Sequence, residues 1–120
     1  MEYISTRNTK DTFSFKDVFL NGLAPEGGLY VPKSIPKYSL KDLDKLKNLS
    51  YFDLASKIVS IFCIDVFSEK EISSFIKNSY KSFRNDQVVD IKTLEKLYIL
   101  ELFHGPTLAF KDIAMQGIGN

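Results

Sequence analysis

Cysteine and histidine each occur once in these 120 residues, at Cys63 and His104. A lone cysteine excludes a disulfide framework, and one cysteine and one histidine far apart in sequence do not make a metal site. Cys63 stands in Ile61-Phe62-Cys63-Ile64, the setting of a buried thiol acting as a small hydrophobe. Excess charge is absent too: sixteen Lys and Arg against fifteen Asp and Glu leave a net charge of +1. That balance gives no electrostatic basis for nucleic acid or an anionic membrane as partner. The mixed signs of Lys41, Asp42, Asp44, Lys45 and Lys47 describe a solvated helix face. No apolar run approaches the ~18 residues of a bilayer span. Met1–Arg7 lacks the basic start and apolar stretch of a secretory signal, so the expectation is a soluble, cytoplasmic protein. There are no repeats, low-complexity tracts or linker-like stretches, which argues for one continuous domain at this length.

What is present is the material of a core, 44% hydrophobic residues with aromatics at 13%, too apolar for a disordered tail. Helix starts are legible as Ser-x-x-Asp/Glu at Ser14/Asp17, Ser39/Asp42, Ser50/Asp53 and Ser68/Glu71, each ahead of an apolar period. The first helix is predicted from about Phe15 to Asn21 with Gly22 as its stop. The second carries Leu40, Leu43 and Leu46, the third runs from about Tyr51 to Ile64, and the fourth carries Ile72, Phe75, Ile76, Tyr80 and Phe83. Strands are predicted at Glu2–Thr6 and Leu29–Val31, the latter ended by Pro32. A third, Leu97–Phe103, is apolar on both faces except at Glu101, as in a strand inside a sheet. The Gly27-Gly28 pair reads either as a phosphate cradle or as a turn with positive φ at Gly28, and in the second case Glu26 is a silent position.

The segment Leu102 to Gln116 passes from strand through Gly105-Pro106 into a helix, with Pro106 suited to its first turn. On a helical wheel Lys111 falls beside Ala114, Met115 and Ile118, while Asp112 and Gln116 share another face. A lysine therefore sits on the apolar side of a helix that has a polar side available. Pattern alone leaves two readings open: a desolvated amine made nucleophilic, as a Schiff-base lysine requires, or an ammonium that snorkels to water past small neighbours.

Three blocks resemble threonine synthase, in the order that family has them: Tyr3-Ile4-Ser5-Thr6-Arg7, then Gly22-Leu23-Ala24-Pro25-Glu26-Gly27-Gly28-Leu29-Tyr30-Val31-Pro32, then Glu101-Leu102-Phe103-His104-Gly105-Pro106-Thr107-Leu108-Ala109-Phe110-Lys111-Asp112. The third is similar to the cofactor-lysine segment that tryptophan-synthase-β-type enzymes share more loosely. The resemblance implies an α/β fold. Residues 1–96 would be a threonine synthase N-terminal domain, mostly helical with short strands. Residues 97–120 would be the first strand and lysine-bearing helix of a pyridoxal-phosphate (PLP) domain of fold type II. It implies PLP as cofactor, bound as a Schiff base to Lys111, which also moves protons at the substrate carbons. Phe110 and Asp112 would flank and orient the lysine, and Thr107 would either contact an anionic substrate group beside free backbone N–H groups or cap the helix. His104 tempts as an acid or base, but the family's chemistry gives proton transfer to the lysine, leaving it a structural hydrogen bond. The implied reaction converts O-phospho-L-homoserine and water to L-threonine and phosphate.

Family members are several times longer, and their phosphate-holding glycine-rich loop and the hydroxyl residue at the pyridine nitrogen follow the lysine helix. Nothing before Lys111 replaces them, so the expectation is a fragment whose site needs the missing C-terminal part. Phe103, Leu108, Phe110, Ile113 and Met115 should then be exposed. Two other readings are a related phospholyase acting on another amino-alcohol phosphate, to be distinguished beyond Asn120, and a non-catalytic helical interaction module. An open reading frame encoding a phosphate loop after codon 120 would exclude the module.

Overall fold

The structure, a computed structural model, describes residues 1–119. The chain forms two compact units, the first from Met1–Asn48 and Lys57–Glu69, the second from Leu49–Ser56 and Lys70 onward.

In the first unit, β1 (Tyr3–Ser5) pairs antiparallel with β2 (Tyr30–Pro32), in the register Tyr3↔Pro32, Ile4↔Val31, Ser5↔Tyr30. Pro32 is the last residue of its two-stranded ribbon, where its missing N–H costs no ladder bond, so the strand ends one residue later than Pro32 suggested. Helix α1 (Phe15–Asn21) and helix α2 (Leu40–Leu46) begin on full capping boxes. In each, the serine hydroxyl accepts from the backbone N–H of the aspartate three residues on, and that carboxylate accepts from the serine N–H, at 3.0 Å for Asp17 and 3.2 Å for Asp42. Hydrogen bonds from the serines hold the Asp17 and Asp42 carboxyls below their ordinary range. Gly22 closes α1 with φ 69°, its N–H donating to the Val18 carbonyl. Helix α3 (Tyr51–Cys63) contributes its second half to this unit. There the Phe62 carbonyl accepts from the Tyr3 hydroxyl at 2.9 Å, and Cys63 is buried, its thiol pushed up by that burial.

The glycine-rich turn corrects the expectation about Gly28. Positive φ belongs to Gly27, at 77°, whose N–H donates to the Ala24 carbonyl at 2.8 Å. Gly28 is needed for closeness instead: a Cβ there would overlap the Ser5 hydroxyl and approach the Arg7 nitrogen to 3.1 Å. Nor is Glu26 silent, because its carboxylate accepts from the buried Ser5 hydroxyl, which holds its pKa low, and its carbonyl accepts from the Arg7 guanidinium at 3.0 Å. Gly28→Val is expected to destabilise the chain by about 2–3 kcal/mol, as overpacking against backbone does. Glu26→Ala should lower stability by a smaller but measurable amount. Urea unfolding checks both, and a Gly28→Val midpoint equal to that of the unsubstituted chain would remove the close-approach account.

In the second unit, helix α4 (Glu69–Tyr80) buries Ile72, Ile76, Ser79 and Tyr80. Strands β3 (Asp90–Leu94) and β4 (Leu97–Glu101) then form an antiparallel hairpin from Asp90↔Glu101 to Leu94↔Leu97. The expected interior strand is therefore half of a two-stranded ribbon, and Leu97, Tyr98, Ile99 and Leu100 are exposed on it. The partner strand went unread because the loop is Glu95-Lys96, with Glu95 at φ 54°, and not the Asn-Gly that announces such turns. Ahead of it Val88 is fully buried at φ 63°, a β-branched residue whose backbone cost of about 1–3 kcal/mol is offset by burial.

Burial holds the phenols of Tyr3, Tyr51 and Tyr80 above their ordinary value of 10.0. A raised folded-state pKa means the folded chain keeps protons that the unfolded chain gives up. The stability from these groups is thus complete below about pH 10 and is lost as pH rises through the folded values. Circular dichroism against pH should show unfolding above pH 10 with a slope that Tyr51→Phe reduces. An unchanged slope would show that this phenol does not contribute.

Candidate functional site around Lys111

The strand-to-helix passage is organised by a buried carboxylate. Asp112 accepts from the Thr107 backbone N–H at 2.8 Å on one oxygen and from the Thr107 hydroxyl at 2.9 Å on the other. Gly105 lies so close that a Cβ on it would overlap the Asp112 side chain. Leu108, at φ 61°, donates its N–H to the Gly105 carbonyl, and Asp112 donates its own to Ala109. A leucine in the left-handed region cannot lie inside a right-handed helix. The helix therefore does not start at Pro106: α5 spans Asp112–Ile118, and Pro106 and Thr107 belong to the turn before it.

Lys111 is the N-cap of α5, in right-handed helical conformation, its carbonyl accepting from Ala114 and Met115. Its side chain lies with Ala114 and Met115, as the wheel placed it, while Ile118, which the wheel also put beside it, is not among them. With Leu102, Phe110 and Ile113 these line an open hollow of about 360 Å³. Of the two readings that the pattern left open, the structure agrees with the lysine that reaches water past small neighbours: Lys111 is exposed, because the hollow is open and the small Ala114 covers little of it. No hydrogen bond or ion pair engages its amine among the described residues, and both oxygens of the adjacent Asp112 are taken by Thr107. Phe103, Leu108, Phe110 and Met115 are more than half exposed, as expected, while Ile113 is partly covered.

His104 makes a hydrogen bond between Nε2 and the Glu101 carboxylate at 3.1 Å, packs its ring tilted against Phe103 with centroids 4.8 Å apart, and accepts the Arg84 N–H at its carbonyl. These are bonds that hold the strand end. Sequence reasoning missed Tyr80, whose hydroxyl donates to the Ile113 carbonyl at 3.0 Å across thirty-three residues, a distance no local pattern registers. It also missed the Thr107–Asp112 bonds, whose five-residue spacing matches no helix cap.

The family described as "Threonine synthase N terminus" matches residues 2–80. Threonine synthase of Pseudomonas aeruginosa is 39% identical over 120 residues, covering 99% of this chain and 26% of the relative. Among solved structures, PLP-bound threonine synthase from Brucella melitensis superposes with a TM-score of 0.92 at 36% identity, over 98% of this chain and 26% of that one. Yeast threonine synthase gives 0.91 at 40% identity, over 98% and 25%. The chain spans about a quarter of the length of the relatives it matches. With its blocks in order and its fold superposing on that quarter, the chain belongs to the threonine synthase family and corresponds to the N-terminal region of its members.

Proposed function

We propose that this chain supplies the N-terminal domain and the cofactor lysine of a threonine synthase, converting O-phospho-L-homoserine and water to L-threonine and phosphate with PLP. Residues 1–96 are the N-terminal domain in this reading. Residues 97–120 begin the PLP domain, the rest of which completes the site. The observation that carries it is the Lys111 amine, exposed and unengaged among the described residues beside an apolar hollow. The residues fit the group: a primary amine without a counter-ion can condense with an aldehyde, and a carbon-lined wall suits a pyridine ring. When bound, PLP supplies the electron sink that lets phosphate leave and water add.

The chain's own residues do the rest. Lys111 would hold the cofactor and would move protons at the substrate carbons. Phe110 forms part of the apolar wall of the hollow. Asp112, held by two bonds from Thr107, fixes the turn that aims the lysine. We assign the Thr107 hydroxyl to that turn, since donating to a substrate anion would require giving up its bond to Asp112. The test joins residues 1–120 to the rest of the Pseudomonas aeruginosa chain and follows phosphate release from O-phosphohomoserine. Turnover is expected. A folded, PLP-loaded chimera that releases no phosphate would contradict the reading.

A further inference from the structure

Helix α5 has seven residues, too few to hold its own shape in water, and its N-cap makes no side-chain hydrogen bond. Its direction, and that of Lys111, must come from outside it. Asp112 and Thr107 hold the turn before the helix. On the helix itself, the Ile113 carbonyl, two residues after Lys111, accepts from the hydroxyl of Tyr80 at 3.0 Å. Tyr80 is buried at the end of α4. Its ring is held edge-on by Tyr51 at 5.4 Å and by Phe83 at 5.2 Å. The Tyr80 hydrogen goes to the Ile113 carbonyl, and Tyr51 backs the Tyr80 ring through the edge-on contact. A buried phenol, backed by the half-buried Tyr51 ring, therefore ends on the first turn of the lysine helix.

We propose that Tyr80, backed by Tyr51, is a positioning residue for Lys111, fixing the start of α5 so that the amine meets its cofactor and substrate in one orientation. The inference rests on Lys111 being the cofactor lysine, and goes beyond it by naming what aims that lysine. Neither phenol touches the hollow; both act through the backbone. Loss of the hydroxyl frees the helix start by a fraction of an ångström to an ångström, a displacement that costs positioned chemistry roughly ten- to a hundredfold.

The experiment uses the chimera described above, as Tyr80→Phe and Tyr51→Leu. Each is assayed for kcat, KM, and the rate at which a borohydride-trappable link to PLP forms on Lys111. Tyr80→Phe is expected to slow link formation and lower kcat about tenfold with KM within twofold, and Tyr51→Leu to give a smaller change in the same direction. Tyr80→His, which keeps a donor on a ring, should recover part of the link-formation rate. A Tyr80→Phe protein of lower melting temperature but unchanged link formation and kcat would overturn the proposal, reducing Tyr80 to a stabilising contact. If Tyr80→Phe does not fold, Tyr51→Leu decides by the same two rates. The underlying reading fails separately: the trapped group would then map to a lysine other than Lys111 in the unsubstituted chimera.

Discussion

Lys111→Ala in the completed enzyme is expected to lose turnover by at least the ~10²–10⁴-fold that a positioned proton-transfer group contributes. It should also lose the reducible link to PLP at the same stroke. One side chain is asked to do both tasks, because its amine is exposed on the hollow and unengaged among the described residues. Lys111→Arg should fail equally, since a guanidinium stays protonated and cannot condense with an aldehyde. Stability should barely change in either variant, the side chain being exposed, so equal melting temperatures with absent turnover are the expected pair of results. Turnover within tenfold of the unsubstituted enzyme in Lys111→Ala would remove the lysine from the chemistry.

The second large effect is structural and lies six residues upstream. Gly105→Ala places a methyl group where the Asp112 side chain already is. Asp112 cannot yield cheaply, because moving it breaks both bonds from Thr107 and leaves a buried carboxylate unsatisfied. A loss of about 2–3 kcal/mol is expected, with the Lys111 turn disordered before the rest of the unit. Gly117→Ala on α5 is the contrast. Its added Cβ meets the Phe75 ring at 3.6 Å, an ordinary contact, and helix propensity favours alanine by about 1 kcal/mol. Urea unfolding should separate the two in opposite directions, and equal destabilisation would show that the Asp112 contact is not what Gly105 serves.

How far these features could be read beforehand follows from the range of the forces that set them. Helix starts at Phe15, Leu40 and Tyr51 are local events, each fixed by a serine and an aspartate three residues apart, and they fall where those pairs place them. Glu69 likewise follows directly on Ser68. Gly22 stops α1 for an equally local reason. Gly28 misled because two physical demands select glycine, a left-handed backbone and a close neighbour. Only the fold shows that Ser5, twenty-three residues away, is that neighbour. The β3–β4 hairpin lacked its usual turn residues, and the apolar content of Leu97–Leu100 suggested burial where the described residues provide no covering layer. At the site, the neighbourhood of Lys111, Ala114 and Met115 was legible from a 100° period, because the N-cap keeps helical angles. The late helix start was not legible, since it follows from Leu108 in the left-handed region and from a carboxylate engaged five residues back.

The most direct measurement of the central claim is chemical mapping of the lysine. The completed chain is loaded with PLP, reduced with borohydride and digested, and the pyridoxyl group is located by mass. The account predicts a single modified peptide, with the group on Lys111, and none in Lys111→Ala. A pyridoxyl group on any other lysine of the completed chain would contradict it.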